Sequence, residues 1–419
     1  MTAPAITAAQ QAAIQRRTLR VLSLGQVLGG IAFGATVSLG ALLAADLSGN
    51  DALSGTATAS VTLGAALAAI PLARLARRVG RRWSLTAGNL LALIGIVVVI
   101  TAAAVRVFPL LLVGILLIGM GNAGNLQSRF AAADLADPAR RARDLSIVIW
   151  ATTIGAVSGP LLLGAGEVVG KTVGMPPQTG SFLFSLVAQS LALLLYVIAL
   201  RPDPLLVAQQ IARGASASTQ LGDAVDNPFV ARFAIFAIAG SHVVMVAVMA
   251  MTPIHLAHMA HAAHGGHASP EDISLLVGVT IAAHVAGMYA LSPVFGILAD
   301  RWGKLRVVLA GQALFAASLA FAIFANDSET GVLIALVLLG LGWSAGTVAG
   351  AALLTEASAP ALRTSRQGKS DSLMSLAGAT GALLAGPVLT TWQYAGLGIA
   401  ALVVVAAIVV VAPFAARRM

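Results

Sequence analysis

Runs of about 20 apolar residues, separated by short polar or charged segments, recur along all 419 residues. Each run is long enough to cross a bilayer as a helix. The pattern predicts twelve spans, at 21–45, 52–73, 83–105, 108–133, 145–168, 181–200, 229–256, 272–297, 307–326, 330–355, 370–393 and 395–414. The expected fold class is therefore an all-α polytopic membrane protein. The stretch before the first span is polar and ends in Arg16, Arg17 and Arg20. No small-residue cleavage site follows the apolar run after it, so the first span is expected to be retained and not removed as a signal peptide.

Composition agrees with this pattern. Hydrophobic residues make up 58% of the chain and charged residues only 10%, too few to cover the surface of a soluble domain. The net charge of +9 could suggest a polyanionic partner. Its distribution says otherwise. With the N-terminus in the cytoplasm, every Lys and Arg except Arg106 and Lys171 falls in a cytoplasmic segment or at a cytoplasmic helix end. That is the positive-inside asymmetry. It predicts cytoplasmic N- and C-termini in a bacterial inner (cell) membrane, with the lipid bilayer and not nucleic acid as the partner. No protein partner can be named. There is no cysteine, which excludes disulfides and thiolate metal sites. No motif for phosphate binding, nucleophilic catalysis or nucleotide hydrolysis occurs, so neither an enzyme nor a resident cofactor is expected.

The two halves of the chain echo each other at a nearly constant offset. Arg77-Arg78-Val79-Gly80-Arg81 follows the second span, and Asp300-Arg301-Trp302-Gly303-Lys304 follows the eighth. Gly119-Met120-Gly121 matches Gly340-Leu341-Gly342, and Gly159-Pro160 matches Gly386-Pro387. Internal repeats of this kind build many transporters, with the substrate site between the repeats near the midplane. The expected organisation is a six-helix half at 1–200, a cytoplasmic linker at 201–228 and a second six-helix half at 229–419. The segment Gly296 to Lys304 resembles the loop signature of the major facilitator superfamily, and Gly155-Ala156-Val157-Ser158-Gly159-Pro160 resembles its fifth-helix motif. The resemblance implies twelve helices in two pseudo-symmetric halves. Arg77 stands where the signature has Asp, so a charge latch at that loop is expected to be weaker or different. The helix glycines are read as close-packing positions.

All seven histidines lie between His242 and His284. Five recur at a strict spacing of three: His255, His258, His261, His264 and His267. The topology places them at the outer end of the seventh span and in the loop after it. Imidazole suits Cu, Zn and Ni, and His-rich tracts often bind metal. Within the seventh span, His242, Met245 and Met249 fall at i, i+3 and i+7, one stripe of a helix. Within the eighth, His284 and Met288 are i and i+4. At about 1.5 Å per residue, His284 lies roughly 18 Å into that span, near the bilayer centre. An ionisable residue at that depth calls for a functional explanation. Singly, Met at helical spacing is ordinary packing, and an intramembrane His is ordinarily bonded to a neighbouring helix. Jointly, thioethers beside imidazole select Cu(I) over hard cations.

This constellation is similar to that of the CcoA-like copper importers, a branch of the same superfamily. They share Met-x-x-x-Met in the seventh helix and His-x-x-x-Met in the eighth. The resemblance implies Met245, Met249, His284 and Met288 as copper ligands. The five-histidine run lies outside that motif, and its expected role as a capture loop rests on chemistry alone. Gln26, Asn122, Asn125 and Gln127 could line the same cavity or bond between helices. No Asp or Glu falls near the centre of an expected span, which leaves the coupling ion open. The expected function is copper uptake by alternating access, with copper as cargo. The alternatives are export of amphipathic drugs, uptake of an organic nutrient such as a vitamin, and a metal-sensing receptor that does not transport.

Overall fold

The computed structural model describes residues 7–49, 53, 55–161, 163–176, 179–218, 226–263 and 270–419, and these are helical with no strand among them. In chain order the helices are α1 (Ala8–Ser48), α2 (Gly55–Val79), α3 (Arg81–Val105), α4 (Phe108–Ala133), α5 (Arg141–Leu161), α6 (Leu163–Thr172) and α7 (Ser181–Ala199). Then follow α8 (Pro204–Ser218), α9 (Pro228–Ala263), α10 (Pro270–Tyr289), α11 (Ser292–Trp302), α12 (Lys304–Phe324), α13 (Glu329–Glu356) and α14 (Pro360–Ala416). Among the described residues ten helices are long and apolar enough to cross a bilayer. The first expected span lies on α1 and the fifth runs over α5 and α6, beside those ten. α14 holds the last two and breaks at Gln393, where φ is 57°. The expected linker contains a helix of its own, α8, and its residues 219–225 lie outside the described residues.

Lipid and core select opposite faces of these helices. On α3, Leu90, Ile94 and Val97 point outward at i, i+4 and i+7, while Ala92, Ile96 and Val99 are buried. α7 repeats this with Val187, Leu191, Leu194 and Ile198 outward. Apolar side chains can face outward here because hydrocarbon, not water, covers them. Small residues bring the backbones together: a Cβ on Gly121 of α4 would lie 2.8 Å from the Gly88 carbonyl of α3. The internal repeat is visible in the backbone. Gly80 and Gly303 occupy matching places before α3 and α12, and both have φ 96°. Gly80 is further constrained because a Cβ there would strike the Asp203 carboxylate, which accepts from Arg82 N at 2.7 Å and caps α8 at Leu205 N at 3.0 Å.

The chain forms two units, one of Met1–Asp226 with Thr355–Ser372, the other of Asn227–Leu354 with Leu373–Met419. Charge explains why the start of α14 belongs to the first. Arg81 grips Asp134 with two bonds, Nε to Oδ2 at 2.8 Å and Nη2 to Oδ1 at 3.2 Å, and donates from Nη2 to Gln367 Oε1 at 2.7 Å. Arg366 grips Asp226 at 2.6 and 2.7 Å. Those hydrogen bonds hold the Asp226 carboxyl below the usual carboxylate range. Arg129 of α4 pairs with Asp371 at 2.5 Å. At the loop after α2, Arg77 is exposed and the buried charge contact is made by Arg81.

Candidate functional site

The second unit holds the Met and His residues singled out by sequence. On α9, Met245 is buried and Met249 partly so; on α10, Met288 is buried and His284 fully so. Met245 and Met288 share one apolar cluster with Phe315, Leu336, Trp343 and Tyr394, and Met249 packs against its margin. α13 lies directly against this stretch of α10. Gly340 permits it: a Cβ there would lie 2.9 Å from Met288 N and strike the His284 carbonyl.

His284 is bonded through one ring nitrogen. Nδ1 lies 2.8 Å from the Leu336 carbonyl, which can only accept, so Nδ1 carries a proton. In the neutral ring Nε2 then holds a lone pair, and this atom is buried with no hydrogen-bond partner. Metal-ligating histidines commonly donate their other N–H to a backbone carbonyl in this way. His242 is arranged in the opposite sense. Trp343 Nε1–H donates to its Nδ1 at 2.9 Å, which occupies that lone pair and puts the proton of the neutral ring on Nε2. Tyr289 meets the same indole edge-on at 5.6 Å. Sequence reasoning missed Trp343 and Tyr289, because neither belongs to a spacing pattern with the residues it touches.

The histidine run begins on α9 itself. A spacing of three turns each successive residue by about 60° around a helix, and the run divides accordingly. His255 faces inward, its ring stacked on Tyr394 at 4.1 Å and its Nε2 2.7 Å from the Asn326 carbonyl. Tyr394 in turn bonds Thr252 at 2.9 Å. His258 is exposed. His261 lies on α9, with its side chain outside the described ones; His264 and His267 lie outside the described residues. Among the described residues no group of three or more His, Asp or Glu could hold a metal ion.

Two of the polar residues singled out in the first unit are bonded between helices. Gln26 donates to Thr152 Oγ1 at 3.2 Å, and Gln127 to the Ala69 carbonyl at 2.7 Å. Asn125 packs against Gly29, whose Cβ would lie 2.6 Å from Nδ2. The expectation that no carboxylate lies near the centre of a span needs correction at Asp371. The sequence pattern placed it at the edge of the eleventh span, but α14 starts at Pro360 and buries Asp371 completely.

The sequence model of the Major Facilitator Superfamily matches residues 22–269 and 257–418. The uncharacterized MFS-type transporter YddS of Bacillus subtilis (strain 168) is 36% identical over 397 residues, covering 93% of this chain and 88% of that protein. The riboflavin transporter RfnT of Brucella anthropi is 31% identical over 371 residues, covering 86% of this chain and 85% of its own. Among solved structures, the human organic anion transporter MFSD10 (TETRAN) superposes with a TM-score of 0.70 at 17% identity, over 95% of this chain and 99% of its own. A bacterial homologue of the iron transporter ferroportin, in an outward-facing state, gives 0.64 at 17% identity, over 96% and 99%. At that identity these two likenesses speak for the fold alone.

Proposed function

This chain belongs to the Major Facilitator Superfamily, and we propose that it carries copper, as Cu(I), into the cell by alternating access. The observation that carries this reading is His284: a buried imidazole, pinned through Nδ1 to a backbone carbonyl, with a buried Nε2 that nothing in the protein engages. Met288 lies one turn further along the same helix, and Met245 shares its apolar cluster. Imidazole and thioether together suit Cu(I) and serve Zn(II) or Ni(II) poorly. Met249, at the margin of the cluster, completes the ligand set. His258 and the histidines after it concentrate metal ahead of the site, whereas His255 is engaged in holding α9 against Tyr394 and Asn326. The positive-inside distribution supports an inner-membrane protein with both termini cytoplasmic.

A second reading is uptake of an organic nutrient, which the riboflavin transporter relative favours. Flux into proteoliposomes separates the two. Under reducing conditions radioactive copper should accumulate, Ag(I) should compete strongly, and Zn(II) should compete only in large excess. Riboflavin entry without copper entry would replace the first reading with the second. Copper binding without flux would make the protein a receptor.

A further inference from the structure

We propose that Asp371 is the proton-binding group of the transport cycle, with the Arg129 guanidinium as the counter-charge that alternates with the proton. Asp371 is fully buried well inside α14. Other carboxylates within the candidate spans, Asp203, Asp300, Glu329 and Glu356, are all partly or wholly exposed. Asp371 Oδ1 accepts from Arg129 Nη2 at 2.5 Å. Its Oδ2 is buried with no hydrogen-bond partner. A buried charge is normally satisfied on all sides, because the penalty for leaving it half-bonded is severe. This carboxylate is therefore hydrogen-bonded by a single guanidinium.

The groups around it leave no substitute. α2 presents small residues: Ser372 Oγ takes the Ala66 carbonyl at 3.0 Å, and Ala73 lies opposite Gly368. α3 contributes Arg81, already committed to Asp134 and Gln367. α4 contributes Arg129. On α14 itself, Arg363 donates to the Thr355 carbonyl, Arg366 to Asp226, and Lys369 is exposed. Desolvation opposes the ionised form of Asp371, and the adjacent guanidinium favours it. Drawing Arg129 away leaves the carboxylate in a low-dielectric site without a bonded counter-charge. A proton from the aqueous phase then bonds to a carboxylate oxygen. When the pair re-forms, that O–H breaks and the proton returns to water. One O–H bond forms and one breaks per cycle, and no other group changes. The inference rests on this pair and not on the identity of the cargo.

The test is pH-dependent infrared difference spectroscopy on the full chain in vesicles of phosphatidylethanolamine and phosphatidylglycerol, with no cargo present. The wild-type protein should show the carbonyl band of a protonated buried carboxylic acid growing as pH falls, and Asp371→Asn should lack it. Arg129→Gln should raise the proton affinity behind that band by about tenfold or more, since it removes the adjacent opposite charge. If Asp371→Asn does not fold, Asp371→Glu keeps the carboxyl and should displace both the band and its midpoint. The proposal is overturned if the wild type shows no such band, if Asp371→Asn retains it, if Asp371→Glu leaves it unmoved, or if Arg129→Gln titrates like the wild type.

Discussion

Replacing Arg81 by Ala should destabilise the first unit more than any other single loss of charge outside the α4–α14 pair. The Arg81 and Asp134 side chains are each only 1% exposed. Truncation removes both bonds to the Asp134 carboxylate and the bond to Gln367 Oε1. It leaves a buried anion without the cation bonded to it. Breaking a buried ion pair from one side costs about 3–5 kcal/mol, against a net stability of about 5–15 kcal/mol for a typical domain. Thermal unfolding of the detergent-solubilised protein should therefore begin at a clearly lower temperature. Arg81→Met combined with Asp134→Leu should recover most of the loss, because an apolar pair of similar volume removes the desolvation penalty along with the attraction. Arg106 is the internal control. Its pair with Asp46 at 3.3 Å is 65% and 47% exposed, and Arg106→Ala should change nothing measurable. If Arg81→Ala unfolds at the wild-type temperature, or the double variant is no better than the single, the loop after α2 is not held by this contact.

Two further outcomes concern the site. Gly340→Ala forces a Cβ against Met288 N and the His284 carbonyl; copper uptake should fall at least as far as in Met288→Ala while the protein still inserts, and unchanged uptake would separate α13 from the site. Replacing His258, His261, His264 and His267 by Ser should raise the copper concentration for half-maximal uptake with little change in the maximal rate, whereas His255→Ser should lower thermal stability through the lost Tyr394 stack and Asn326 bond; equal effects of the two changes in both assays would remove the distinction between them.

What the sequence made legible follows from what the membrane demands. A bilayer forces backbone polar groups to pair within a segment, so apolar runs declare helices and their number. It makes no such demand at helix ends. Arg363, Arg366 and Lys369 suggested a polar connection before a span starting at 370, yet α14 begins at Pro360. Arg363 and Arg366 have partners at Thr355 and Asp226, and those partners allow the charged turn to stay helical and place Asp371 inside the protein. The histidine run shows the same division. Its spacing was plain, but a period of three drifts about 60° per step on a helix, so His255 and His258 have different neighbours and different chemistry. The depth of His284 is an expectation from residue counts along its own helix. The carbonyl that fixes its tautomer belongs to Leu336, 52 residues away, and no periodicity links the two. A pattern local to one helix can nominate a ligand, but which ring nitrogen holds a lone pair is decided by a neighbouring helix, and the choice between a metal ligand and a packed histidine depends on that neighbour.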